Sequence, residues 1–234
     1  MKVAVAFIFF ILSCTSKSVI IHSDFEKGKI DNIWKTKKLS RGGWEVQKDI
    51  ARSGSYSMKF NLLKGMNEGV GADYKTTERV ELKEKDKFHS PLEVDNLYKF
   101  SFFIPIDFPL EKTRLVIGQW KQIGQNNPLV AQRYVDGVFY VTVSTLEGKK
   151  TILKLTKEES KEFLNEWIDV EYKVKFSHDN GYVLLKVGRH HAQYKGSLAF
   201  PEDGNNVYFK FGLYRDQINV PMTIYFDNYH HHIN

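Results

Sequence analysis

An all-β sandwich is the fold class this sequence predicts, on three observations: short segments in which apolar and polar residues alternate, turn chemistry between them, and little helical periodicity. The expected form is a concanavalin A-like β-jelly roll with a concave groove and one or two short helices. The chain has 234 residues, 42% hydrophobic and 14% aromatic, which suits one domain with a large core rather than a disordered or fibrous protein.

The elements follow in chain order. Met1-Lys2 precedes an apolar run at 3–12, too short to span a bilayer, so residues 1–17 are expected to be a signal peptide and 18–234 a single exported domain. Ile11-Leu12-Ser13-Cys14 resembles a bacterial lipobox, in which the cysteine becomes the lipidated first residue; the alternative is ordinary cleavage at 15–18. Lipidated Cys14 would be the one route to membrane attachment. It is also the only cysteine, which excludes an intrachain disulfide and a cysteine nucleophile within the fold.

Strands are expected at 98–104, 115–122 and 138–144. Thr156 and Glu159 have capping-box spacing ahead of Phe163, Leu164 and Trp167, which predicts one small surface helix. Val170, Tyr172, Val174 and Phe176 alternate with Glu171, Lys173 and Lys175; Asp179-Asn180-Gly181 then turns the chain before Val183, Leu185 and Val187 resume the pattern. Further strands are expected at 207–215 and 223–229. No linker, repeat or composition shift marks a second domain, and a monomer is expected.

The segment Tyr208-Phe-Lys-Phe-Gly-Leu-Tyr-Arg215 has two chemically different faces. Alternation puts Phe209, Phe211 and Leu213 on one side and Tyr208, Lys210, Gly212 and Tyr214 on the other. One side reads as core and the other as a groove wall, with Lys210 and Tyr214 the first functional candidates. Gly212 removes bulk where a ligand would lie against the backbone. In Thr77-Glu-Arg-Val-Glu-Leu-Lys83, Arg79, Glu81 and Lys83 share one face, and Glu81 is placed to position a groove cation. In Gly118-Gln-Trp-Lys-Gln122, Gln119 and Lys121 share a face, with Trp120 turned toward the core.

Taken together and in this order, the three segments resemble the signature of jelly-roll polysaccharide lyases, most closely the heparin lyase I-like family. Glucuronan lyases and alginate lyases are related, the latter with the motifs Arg-x-Glu-Leu, Gln-x-His and Tyr-Phe-Lys-x-Gly-x-Tyr. The likeness extends to Asp24-Phe-Glu with Trp34, 53–60, 98–102, and 167–170 followed by Gly181-Tyr-Val. It implies catalytic roles for Arg79, Gln119 and Tyr214 and substrate binding by Lys210; the strand faces add Glu81, Lys83 and Tyr208 as substrate-binding candidates and Lys121 as a catalytic or charge-supplying one. Lys121 stands where the family often has histidine.

The implied reaction removes the proton beside a uronate carboxylate and expels the neighbouring glycosidic oxygen. Arg79 and Gln119 suit the carboxylate. Tyrosine ordinarily ionises near pH 10, so Tyr214 needs cations nearby. Arg79 and Lys121 are candidates, while alternation turns Arg215 away. The alternative function is a non-catalytic carbohydrate-binding jelly roll that lacks the histidine base, unless folding brings His89 or His178 to the groove. His190-His191 and His230-His231-His232 look metal-capable, but neighbours on a strand face opposite ways, and no metal site is assigned. No cofactor is required; calcium is the one the family resemblance allows, although no acidic loop has calcium-site spacing.

Net charge is +6, which favours polyanionic partners. An anionic polysaccharide is the expected partner. Nucleic acid is not, because no recognition motif accompanies the charge and the leader points to export. A glycoside hydrolase would need two facing carboxyl groups, and Glu81 has no evident partner.

Overall fold

Alternation of apolar with polar residues forces each segment to bury one face, and two sheets covering each other satisfy that demand. The computed structural model of the protein describes residues 18–36, 39–67, 76–125 and 127–234. The signal-peptide and Cys14 expectations lie outside the described residues.

In chain order the strands are β1 (Val19–Ser23), β2 (Trp34–Lys35), β3 (Trp44–Gln47), β4 (Ser57–Leu62), β5 (Thr77–Glu84), β6 (Ser90–Pro91), β7 (Asp95–Phe103), β8 (Leu115–Gln122), β9 (Val130–Val135), β10 (Val138–Thr145), β11 (Gly148–Lys154), β12 (Trp167–Lys175), β13 (Gly181–Val187), β14 (His190–Gly196), β15 (Asn206–Asp216) and β16 (Met222–Ile233). One sheet runs β14-β13-β12-β7-β16-β4-β3, with β1 also on β16. The other runs β11-β10-β9-β8-β15-β5-β2, with β6 also on β15. The last two strands, β15 and β16, therefore lie inside their sheets, each with partners on both sides.

The hairpin expected around 179–181 is β12–β13, with Val170 opposite Val187 and Val174 opposite Val183. The capping box also forms: the Thr156 hydroxyl accepts from the Glu159 N–H, and the Glu159 carboxylate accepts from the Thr156 N–H. The helix it starts, α1 (Lys157–Ser160), is one turn and passes into a 3₁₀ turn at Lys161–Phe163. Trp167 opens β12 instead of extending the helical face.

The sheets meet through aromatic side chains. Phe211 of β15 stacks on Phe226 of β16 at 4.0 Å, and Trp120 of β8 lies 4.3 Å from Tyr172 of β12. Phe209, Phe211, Phe226 and Trp120 are fully buried. Burying one such ring contributes roughly 1.5–3 kcal/mol before entropy is counted. The C-terminal histidines belong to β16, where alternation buries His231 and leaves His230 exposed.

Candidate functional site

Three strands bring the site together, because β15 pairs with β5 on one side and β8 on the other. Residues opposite one another across antiparallel strands share a face. Tyr214 stands opposite Arg79 and Val116, Gly212 opposite Glu81, Lys210 opposite Lys83 and Gln119, and Tyr208 opposite Lys121. All eight residues singled out in the sequence thus share the outer face of one sheet. Phe209, Phe211 and Leu213 point inward and are fully buried, as alternation requires.

The face has two ends and a middle. At one end the Arg79 guanidinium lies 4.3 Å from the Tyr214 ring centre and that of Arg114 lies 4.8 Å from it. Arg114 donates from Nε and Nη2 to Asp216 Oδ1 at 3.0 and 2.6 Å. In the middle, Glu81 accepts from Gln119 Nε2 and pairs with Lys210 Nζ at 3.3 Å. The Glu81 side chain is only 4% exposed, so it acts as an internal anchor that aims the amide and the ammonium.

At the other end Lys83 Nζ lies 3.7 Å from the Tyr208 ring centre, and the His89 ring lies 5.2 Å from that of Tyr208. Burial, reinforced by the charges of Lys35 and Lys210, pushes Lys83 down to about 8. Burial and the Glu81 charge push Tyr208 up to about 12.

Gly212 has a cause other than room for a ligand. Its φ is +139°, and a Cβ there would sit 2.2 Å from the Val80 carbonyl oxygen of β5. Pairing with β8 also shifts register between Phe211 and Tyr214, a bulge that glycine permits. The bulge places Tyr214 opposite Val116 of β8, while the pairing with β5 runs on unbroken and keeps Tyr214 opposite Arg79.

His89 reaches the Tyr208 end, not Tyr214. Its side chain is 2% exposed and its Nε2 lies 3.3 Å from both the Glu84 carbonyl and Asp86 Oδ1. Burial lowers its proton affinity, and the ring forms part of the wall beside Tyr208. His178 lies beyond β12 in the opposite sheet's hairpin. Lys121 shares its row with Tyr208, about 16 Å along β8 from Val116 by strand rise. Arg215 points inward, as alternation predicts, and pairs with Glu78 at 2.8 Å with both side chains fully buried.

Among the described residues no group of three or more His, Cys, Asp or Glu side chains could hold a metal ion. The buried carboxylate of Asp227 accepts the backbone N–H groups of Arg52 and Asn228 at 2.9 and 2.7 Å, and Glu26 accepts those of Ser55 and Tyr56. Carboxylates turned to N–H donors in this way do not fit a calcium cage, which needs several oxygens converging on the ion.

Sequence reasoning missed Arg114, Arg133 and Asp216. Arg133 joins the Tyr214 row because Val116 pairs with both Tyr214 and Arg133. β9 is buried on both faces for most of its length, so it carries no period-2 pattern to reveal it. Arg114 precedes β8 and had no strand context in the sequence.

The comparisons with known proteins bear on the family and the fold. The family model described as Polysaccharide lyase matches residues 25–230. No curated protein sequence matches the chain. Among solved structures, alginate lyase AlgAT5 of polysaccharide lyase family 7 is similar at 13% identity, with a TM-score of 0.56 and 84% of each chain covered. The family 7 alginate lyase A1-II′ bound to product is 18% identical, with a TM-score of 0.55 over 80% of this chain and 82% of that one. A GH131 beta-glucanase catalytic domain from Podospora anserina is 14% identical, with a TM-score of 0.61 and 90% of each chain covered. At these identities the structural likeness concerns the fold, which lyases and a glucanase share. The family match spans most of the sequence, and the chain belongs to the polysaccharide lyase family.

Proposed function

We propose that this protein cleaves an anionic, uronic acid-containing polysaccharide by β-elimination on the face formed by β5, β15 and β8. Arg79 and Gln119 take the uronate carboxylate, so that negative charge developing on it meets a guanidinium and an amide donor. Tyr214, as phenolate, accepts the proton from the carbon beside that carboxylate. The electron pair forms the carbon–carbon double bond, and the bond to the glycosidic oxygen breaks. The phenol then returns its proton to the departing oxygen, which regenerates the phenolate. Lys210, Lys83 and Tyr208 bind the neighbouring sugars, with Glu81 fixing Lys210 and Gln119.

The observation that carries this reading is the cross-strand Tyr214–Arg79 pair, with the guanidinium 4.3 Å from the phenol ring. A hydrolytic alternative has less support. The nearest carboxylates on the described face are Glu81, opposite Gly212, and Asp216 four residues along β15. That is about 13 Å by strand rise, beyond the roughly 5–9.5 Å that glycosidases use. A binding module without catalysis is the second reading, favoured by lysine at position 121.

Incubating the purified protein with a panel of uronate polymers separates the readings. Ultraviolet absorbance from unsaturated uronate is expected, and Tyr214→Phe should abolish it while polymer retention persists. Retention by the unaltered protein with no absorbance for any polymer supports the binding module, and full activity of Tyr214→Phe removes Tyr214 from the mechanism. Export, with lipid attachment through Cys14, is part of the proposal and rests on residues 1–17; radiolabelled fatty acid entering the protein but not its Cys14→Ala variant is the expected result.

A further inference from the structure

Tyr214 is surrounded by more positive charge than the carboxylate-binding role needs. Arg79 faces it from β5. Arg114 approaches from the segment before β8 and is held there by Asp216, which alternation places on the same side of β15 as Tyr214. Arg133 approaches from β9 across the small apolar Val116, and it is itself 6% exposed. Beyond it stand Tyr140 of β10, opposite Arg133, and Lys149 of β11, whose proton affinity is lowered by burial and by the charges of Arg133 and Arg114. The described carboxylates at this end are Asp216, taken by Arg114, and Glu81, one row away and bonded to Gln119 and Lys210.

We infer that Arg114 and Arg133 are positioning residues that act through Tyr214, holding its phenol in the ionised form so that one tyrosine performs both proton transfers without a histidine. The inference rests on the β-elimination reading above. Guanidinium suits the task because it keeps its charge where an ammonium would lose it to burial. Burial acts to lower Arg114, yet the interactions with Tyr214 and Asp216 outweigh it and leave Arg114 above its ordinary value. Whatever stabilises the cation beside a phenolate stabilises the phenolate equally. Arg133 is lowered, first by burial and also by Arg114, against the pull of Tyr140 and Tyr214. Two arginines forced together in this way, with tyrosines for neighbours, gain from an anion between them.

The test begins without substrate. Tyrosinate absorbance is titrated in the unaltered protein and in Tyr214→Phe, and the difference isolates one phenol. Its midpoint is expected at least about one pH unit below that of free tyrosine. Arg114→Gln and Arg133→Gln should each raise it by about one unit, tenfold in ionisation. The acid limb of kcat/KM should move alkaline by the same amount, with KM little changed. Arg114→Lys, at a position whose side chain is 42% exposed, keeps a cation and should restore part of the shift, whereas Arg133→Lys, whose ammonium loses its charge to burial, should behave like Arg133→Gln. Thermal unfolding monitors integrity, and should Arg133→Gln fail to fold, Arg133→Lys gives the readout for that position.

An unperturbed midpoint in the unaltered protein, or a midpoint that the glutamine variants leave in place, overturns the inference. Loss of activity equal at every pH overturns it too, because that marks a purely structural role. If the midpoint shifts as expected while Tyr214→Phe still cleaves polymer, the arginines do ionise the phenol and the β-elimination role of Tyr214 is what fails.

Discussion

The two ends of the β15 face repeat one arrangement with opposite chemistry. At one end Tyr214 pairs with Arg79, and at the other Tyr208 lies under Lys83. Each is a phenol against a cation presented by β5. Around Tyr214 the further charges are guanidinium groups, which tolerate burial, and they gather on the phenol. Around Tyr208 the wall is deeper: burial and Glu81 hold the phenol protonated, with a value near 12, while burial and lysine neighbours bring Lys83 to about 8. One end suits a proton acceptor and the other suits an amine and a hydroxyl that bind sugar. The pair itself does not decide the role; the surrounding burial and charge do.

The same strand carries a buried acid beneath each end, which gives the largest expected contrast. Glu78 answers the Arg215 charge, so Glu78→Gln leaves that guanidinium buried without a counter-ion and should cost about 3–5 kcal/mol. Glu84 accepts from the Phe209 N–H and the Tyr229 hydroxyl and lies 2.9 Å from His231 Nδ1, so its load is shared among three partners and Glu84→Gln should cost about 1–3 kcal/mol. Denaturant unfolding of both variants measures the difference, and equal losses would mean that the two ends are supported alike.

Exchange of the phenols comes next. Tyr214→Phe should lower kcat by about 100-fold or more, the usual scale of a lost acid–base group. Tyr208→Phe should leave kcat within about threefold and act on KM, by the size of about one hydrogen bond. Equal effects on kcat would erase the proposed division of labour.

Smaller effects belong to the lysines. Lys210→Ala and Lys83→Ala should each raise KM about two- to fivefold, with the difference shrinking as salt is added. Lys83 also supplies a pH signature. Because its value is lowered to about 8, the ammonium is present below that pH and is lost as pH rises through it. Affinity for an anionic polymer should therefore be full on the acid side and weaken above about pH 8. Lys83→Arg should flatten that dependence, as titration of binding by retention on immobilised polymer would show.

Much of this was legible in the sequence because alternation survives wherever one strand face is buried and the other is not. β5, β12, β13 and β15 carried that pattern, so period-2 reading puts Arg79 with Glu81 and Lys210 with Tyr214, whereas β8 is buried at nearly every residue and Gln119 joins them through the pairing with β15. What alternation cannot supply is register. The bulge at Gly212 sets Tyr214 opposite Val116, and the second irregularity between Val116 and Gly118 brings Arg133 into the row. Neither can be counted from one strand alone. The length of the helix after Thr156 was also hidden, since a good cap says where a helix starts and not how soon a strand pulls the chain out of it.

The position of β15 and β16 inside their sheets means that the final stretch of the polypeptide is a keystone. Until residues 206–233 emerge, β5 has no β8 side and β7 has no β4 side. Both sheets remain split into halves with open edges. Pairings so distant in sequence form slowly, so the consecutive hairpins of β8–β11 and β12–β14 wait on these last residues before either sheet can be completed.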